Sequence, residues 1–114
     1  MSNEVFQNWH EIPGKSLADK VFLRQTSSDR VLLNWAQFGA GTAVPLHSHS
    51  NEIWVQCLSG RGTFRTDNAE YSLVPGCVVN LPAGIAHSAS FVEETVLLET
   101  HIDPPELTAG KNRA

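Results

Sequence analysis

The sequence predicts an all-β fold. Short runs rich in β-branched and aromatic residues recur along it, and Gly, Pro, Asn and Asp clusters separate them at close spacing. No segment offers ten or more residues with apolar positions at helical spacing. Seven or more such runs in 114 residues describe a single domain, 1–114, built as a sandwich or a barrel. Its core is expected over 21–105, with a loose, small and polar tail at 107–114.

Val21 to Gln25 reads as the first strand. Ahead of it, Lys15 to Lys20 is the best helix candidate, too short for more than a single turn. Val31 to Phe38 is the clearest strand and stops at Gly39-Ala40-Gly41. Glu52 to Leu58 stops at Ser59-Gly60. Gly62 to Thr66 and Glu70 to Val74 flank Asp67-Asn68-Ala69 and read as a hairpin. Pro75-Gly76 turns the chain into a short strand, Cys77 to Leu81, and Pro82-Ala83-Gly84 turns it again. His87 to Val92 and Thr95 to Ile102 complete the set. Pro104-Pro105 ends the last strand, because proline cannot donate to a ladder.

Composition narrows the function classes. Apolar residues make up 41% and charged residues 18%, as in ordinary globular domains. Twelve acidic against eight basic residues give a net charge of −4, so the basic footprint of a nucleic-acid binder is absent. No apolar run approaches a membrane span. The first twenty residues have neither the basic start nor the apolar stretch of a secretory signal, and a cytoplasmic protein is expected. Cys57 and Cys77 form no metal-binding or redox spacing and are expected as two reduced core thiols; nothing in the sequence requires a disulfide.

The histidines carry the chemical signal. His47 and His49 are separated by one residue, and positions i and i+2 of a strand share a face. Two imidazoles side by side are what a first-row metal ion needs from two cis ligands. Pro45 suits a strand start or edge just before them, Glu52 follows three residues after His49, and His87 opens another strand forty residues after His47. Alone, a His-x-His pair is more often a surface or core pair; the surrounding spacing is what points to a metal.

That spacing forms two blocks, GTAVPLHSHSNEIWVQCLSG and GCVVNLPAGIAHSASF, fifteen residues apart. Together they resemble the paired motifs of the cupin superfamily, over about Val31 to Pro105. The resemblance implies a double-sheet jelly-roll barrel with a metal held inside. His47, His49 and His87 match its three histidine ligands. The fourth ligand is open: seven residues before Gly60, where relatives often ligate, stands Ile53, which cannot. Either a shift brings in the adjacent Glu52, or three histidines plus water complete the site, with Gln56 a further option. The nearest likeness, which includes the ending TVLLETHIDPPE, is to the pectin-degradation cupins that linearise unsaturated uronic acids. Those relatives carry an amide ligand where Ile53 stands.

On the last strand Leu97, Glu99 and His101 share one face. If that face lines the barrel, Glu99 and His101 are the acid/base groups beside the ion; otherwise they are solvated. Three neutral histidines, with or without one carboxylate, favour Fe2+, Mn2+, Ni2+, Co2+ or Zn2+ over Ca2+ or Mg2+. The expected function is a metal-dependent enzyme on a small-molecule substrate: an isomerase or tautomerase of a sugar-acid-like compound, or a dioxygenase on a diketone, thiol or phenol. A non-catalytic small-ligand-binding barrel is the alternative. The resemblance also implies a homodimer, and exposed sheet edges make the strand near Val21 to Gln25 a candidate to add to the partner's sheet.

Overall fold

The computed structural model describes residues 5–107. After a 3-10 turn at Trp9–Glu11, ten strands follow: β1 (Gly14–Ala18), β2 (Val21–Ser27), β3 (Val31–Phe38), β4 (Ala43–His47), β5 (Ile53–Ser59), β6 (Gly62–Thr66), β7 (Glu70–Leu73), β8 (Val78–Leu81), β9 (His87–Phe91) and β10 (Thr95–Ile102). They form a six-stranded sheet, β1-β2-β3-β10-β5-β8, and a four-stranded sheet, β4-β9-β6-β7, with every pairing antiparallel. This is the jelly-roll barrel that the two sequence blocks imply.

Strand alternation places the core. In β3, Leu32, Asn34, Ala36 and Phe38 are buried and the residues between them are less so. In β5 the buried phase is Ile53, Val55 and Cys57. Register then builds rows across the inner face. Leu32, His101 and Ile53 form one row; Asn34, Glu99 and Val55 form the next; Ala36, Leu97 and Cys57 a third. The two sheets meet where the rings of Phe38 and Phe91 stack at 4.4 Å. Gly60 closes β5 into β6 at φ 97°, and a Cβ there would lie 2.3 Å from Thr95 Oγ1 and 2.4 Å from the Glu94 carbonyl. Only glycine fits both constraints.

Three expectations need correction. Lys15 to Lys20 is not a helical turn: most of it lies in β1, which pairs with β2 through a turn containing Lys20 at φ 64°. Ladder hydrogen bonds to a neighbouring strand outweigh weak local propensity. β2 is longer than expected and lies between β1 and β3, so it has no free edge to offer a partner; β1 is the outer strand. His47 ends β4, and His49 stands beyond it in the loop, so the two histidines do not share one strand. At the other end of the chain, Leu107 closes a helical turn by donating to the Pro104 carbonyl at 3.0 Å, and the rest of the expected loose tail lies outside the described residues. Among the described residues no helix is long and apolar enough to cross a membrane.

Candidate metal centre

The site begins with an irregularity in β4. Val44 pairs with Ala89 and His47 with His87, so Pro45 and Leu46 together oppose Ser88 alone. Such a bulge inverts strand phase, and proline, having no N–H, fits a position where the ladder is interrupted. Val44 and His47, three residues apart, therefore both line the barrel cavity. The cavity measures about 250 Å³.

His47 and His87 face each other across β4 and β9 with ring centroids 4.3 Å apart. His49 approaches from the loop, its centroid 4.7 Å from His47 and 5.4 Å from His87. The loop is tied down where Gly84 N donates to the His49 carbonyl at 2.7 Å. One nitrogen from each of the three rings can be chosen so that all lie within 4.8 Å of one another. Phe64 stacks under His87 at 5.7 Å.

Backbone contacts fix two of the tautomers. His47 Nδ1 lies 2.8 Å from the Pro45 carbonyl and His87 Nδ1 lies 2.9 Å from the Ile85 carbonyl. A carbonyl only accepts, so each Nδ1 carries the proton and donates it. In the neutral ring this leaves the lone pair on Nε2, the arrangement that metal-ligating histidines commonly have. Protonation is disfavoured as well. Burial lowers the His49 pKa below its ordinary value, and the neighbouring His47, His87 and His101 lower it further against an opposing pull from Glu99. Burial also lowers His87, against its carbonyl contact and Glu99. Three imidazoles in this cluster are a donor set that fits a divalent transition ion better than Ca2+ or Mg2+.

Beside the triad lies a polar row on the large sheet. His101 is buried, its Nε2 is 3.2 Å from Glu99 Oε1, and its ring is 5.7 Å from that of His49. Asn34 Nδ2 donates to the same Glu99 oxygen at 3.1 Å, and Gln25 Nε2 donates to Asn34 Oδ1 at 2.8 Å. Burial pushes the Glu99 carboxyl up, but hydrogen bonds from His101 and Asn34 and the charges of His101 and His49 prevail and hold it below its ordinary value. Glu99 and His101 thus line the cavity with the triad rather than facing solvent.

Glu52 is not brought to the cluster. It is exposed, and its Oε2 accepts from Asn80 Nδ2 at 2.9 Å on the outside of the barrel. The alternation of β5 explains this: Ile53 is 2% exposed and takes the inward phase, so its neighbour points away. Gln56 is exposed for the same reason. His10 lies outside the cavity, edge-on to Trp35. Asn34 and Gln25 were not singled out in the sequence. The signal for Asn34 is a polar residue at an inward position of an otherwise apolar strand face. A larger open groove of about 850 Å³ lies between β7 and β8 but contains none of the histidines, so size alone would misplace the site.

The comparisons agree with this fold. A family model described as "Cupin domain" matches residues 34–101. No curated protein matches significantly. Among solved structures, an RmlC-like cupin from Shewanella frigidimarina superposes with a TM-score of 0.84 at 15% identity, covering 91% of this chain and 95% of that one. A predicted oxalate decarboxylase from Thermotoga maritima gives 0.74 at 20% identity, covering 83% and 96%. Salicylate 1,2-dioxygenase from Pseudoaminobacter salicylatoxidans, in a structure with gentisate, gives 0.75 at 14% identity, covering 84% of this chain but 28% of that one. At these identities the likeness concerns the fold.

Proposed function

The chain belongs to the cupin domain family, and from that premise we propose that it is a metal-dependent enzyme moving protons on a small, oxygen-rich substrate such as a sugar acid. The observation that carries the reading is the pair Glu99–His101 in the same cavity as His47, His49 and His87. The three histidines would hold the ion. A bound divalent transition metal supplies Lewis-acid polarisation of a substrate carbonyl or enolate oxygen. With Nε2–H donated to Glu99, His101 has Nδ1 left to take up and return a proton. Asn34 and Gln25 keep Glu99 in place and ionised, which orients the ring. The cavity of about 250 Å³ suits a single ring or a short chain and excludes a polymer.

A dioxygenase is the second reading. It is favoured by the all-histidine set, which leaves coordination positions free for a bidentate substrate and oxygen. Metal analysis of protein purified without chelator comes first, and metal far below stoichiometric, with none taken up on reconstitution, would remove both. With metal bound, loss of unsaturated-uronate ultraviolet absorbance without oxygen uptake supports the isomerase. Oxygen uptake with diketones, thiols or phenols supports the dioxygenase. Inertness to both panels leaves a ligand-binding module. We also propose a cytoplasmic homodimer in which the edge strand β1 is offered to the partner; size-exclusion chromatography at the monomer mass would refute the dimer.

A further inference from the structure

Cys57 and Cys77 lie twenty residues apart in sequence and directly opposite each other in the fold. Val74 to Cys77 make a tight turn, with Cys77 N donating to the Val74 carbonyl at 3.1 Å and Gly76 at φ 97°. The same glycine starts a bulge against β5. Gly76 N donates to the Cys57 carbonyl at 2.9 Å, and Cys57 N donates to the Cys77 carbonyl at 3.0 Å. This is the pattern in which a left-handed glycine and the residue after it together oppose a single partner residue. Only Gly readily takes this φ, so the pairing of the two cysteines is built into the turn.

A ladder contact of this kind brings opposing Cα atoms to about 5.5 Å, within the span a disulfide bridges. Both side chains lie on the inner side. Cys57 is part of the buried core, and Cys77 packs against that same core. Each sulfur now rests against backbone. Cys57 Sγ is 3.4 Å from the Ser59 carbonyl, and Cys77 Sγ is 3.5 Å from the Ser72 carbonyl. These contacts are weak enough to yield to a side-chain rotation. Access is unequal. Cys57 is buried, whereas Cys77 is half-buried and stands in the wall of the open groove between β7 and β8.

We propose that Cys57 and Cys77 are a peroxide-sensitive thiol pair that closes to a reversible cross-strand disulfide. The Cys77 thiolate attacks a hydroperoxide, breaking its O–O bond and leaving a sulfenic acid on Cys77 and an alcohol, or water when the oxidant is hydrogen peroxide. The Cys57 thiol then attacks that sulfur, the S–S bond forms, and the sulfenic oxygen departs as water. In sum, two thiols are oxidised by two electrons and one peroxide is reduced. A thiol reductant reverses the bond. The staple would fasten the edge strand β8 to β5 beside the groove, and it is independent of the histidine site.

The test uses the full reduced chain and hydrogen peroxide as the probe. After brief treatment, denaturation and alkylation with N-ethylmaleimide, intact mass and a non-reducing tryptic map are recorded. The expected product is a monomer two hydrogens lighter with no alkylated thiol. Its map joins residues 31–61 to residues 66–111, and dithiothreitol restores both thiols. In Cys77→Ser, a substitution at a half-exposed turn, Cys57 should lose its alkylatable thiol at least tenfold more slowly than in the parent. Sulfinic acid on Cys77 with Cys57 still free, a disulfide between two chains, or equal rates in parent and variant would each overturn the proposal.

Discussion

Ile53 stands directly opposite His101 across the β5–β10 ladder, and both side chains point into the barrel. This pairing assigns the inward phase of β5 and puts Glu52 outside. Glu52→Gln should therefore leave metal content and metal affinity unchanged, with stability altered by no more than about 0.5 kcal/mol. Metal analysis of the purified variant beside its parent checks this, and a loss of metal would restore Glu52 to the ligand set.

His49→Ala should weaken metal binding by more than about tenfold, as removal of a direct ligand does. His87→Ala should do at least as much and should also destabilise the metal-free protein, because its ring stacks on Phe64 in the core. Competition against a chromophoric chelator measures affinity, and urea unfolding separates it from stability.

Acid should destabilise the metal-free protein in two steps. His49 and His87 have folded pKa values lowered from 6.5. The unfolded chain then binds more protons than the folded one below that value, so stability is full above pH 6.5 and is lost as pH falls through the folded values. Glu99, lowered from 4.5, contributes in the same sense but further down. Urea midpoints across pH 7 to 3 should fall first below 6.5 and again below 4.5. Glu99→Gln should remove most of the lower step.

Asn34→Leu should leave the Glu99 carboxylate short of a donor in the cavity wall. A buried group that loses its hydrogen-bond partner typically costs about 1–3 kcal/mol. The Glu99 pKa should rise, and under the proposed function the acid limb of the pH–rate profile should move upward. An unchanged pH profile in a folded variant would separate Asn34 from the site.

Gly60→Ala should destabilise by about 2 kcal/mol or more, since a positive φ and a blocked Cβ position act together. The equivalent change at Gly41, which also has positive φ but open space around it, should cost less. Thermal melts of the two variants compare steric and conformational terms directly.

The long strands were legible because their side chains alternate. β3 and β10 fall where Val31 to Phe38 and Thr95 to Ile102 place them, and β6 does as well. β1 was not legible, because its five residues are all exposed and its ladder to β2 depends on tertiary pairing. His47 and His87 could be found from spacing. The geometry that gathers His49 could not, because a bulge at Pro45 and a loop replace the continuous strand that a two-residue period assumes. Glu99 and His101 were ambiguous for a related reason: alternation shows that they share a face but not which side of the sheet it is. Asn34, opposite Glu99 in register, becomes meaningful only once β3 and β10 are paired.

Of the three imidazoles, two are mounted on neighbouring strands of one sheet, while His49 rides on the segment after β4. Moving either of the first pair would require unzipping a ladder; moving the third would require breaking the tie that its segment makes to Gly84. Two of the three donors are anchored by strand pairing and the third by a hydrogen bond between two loops, so the cluster is least constrained at His49.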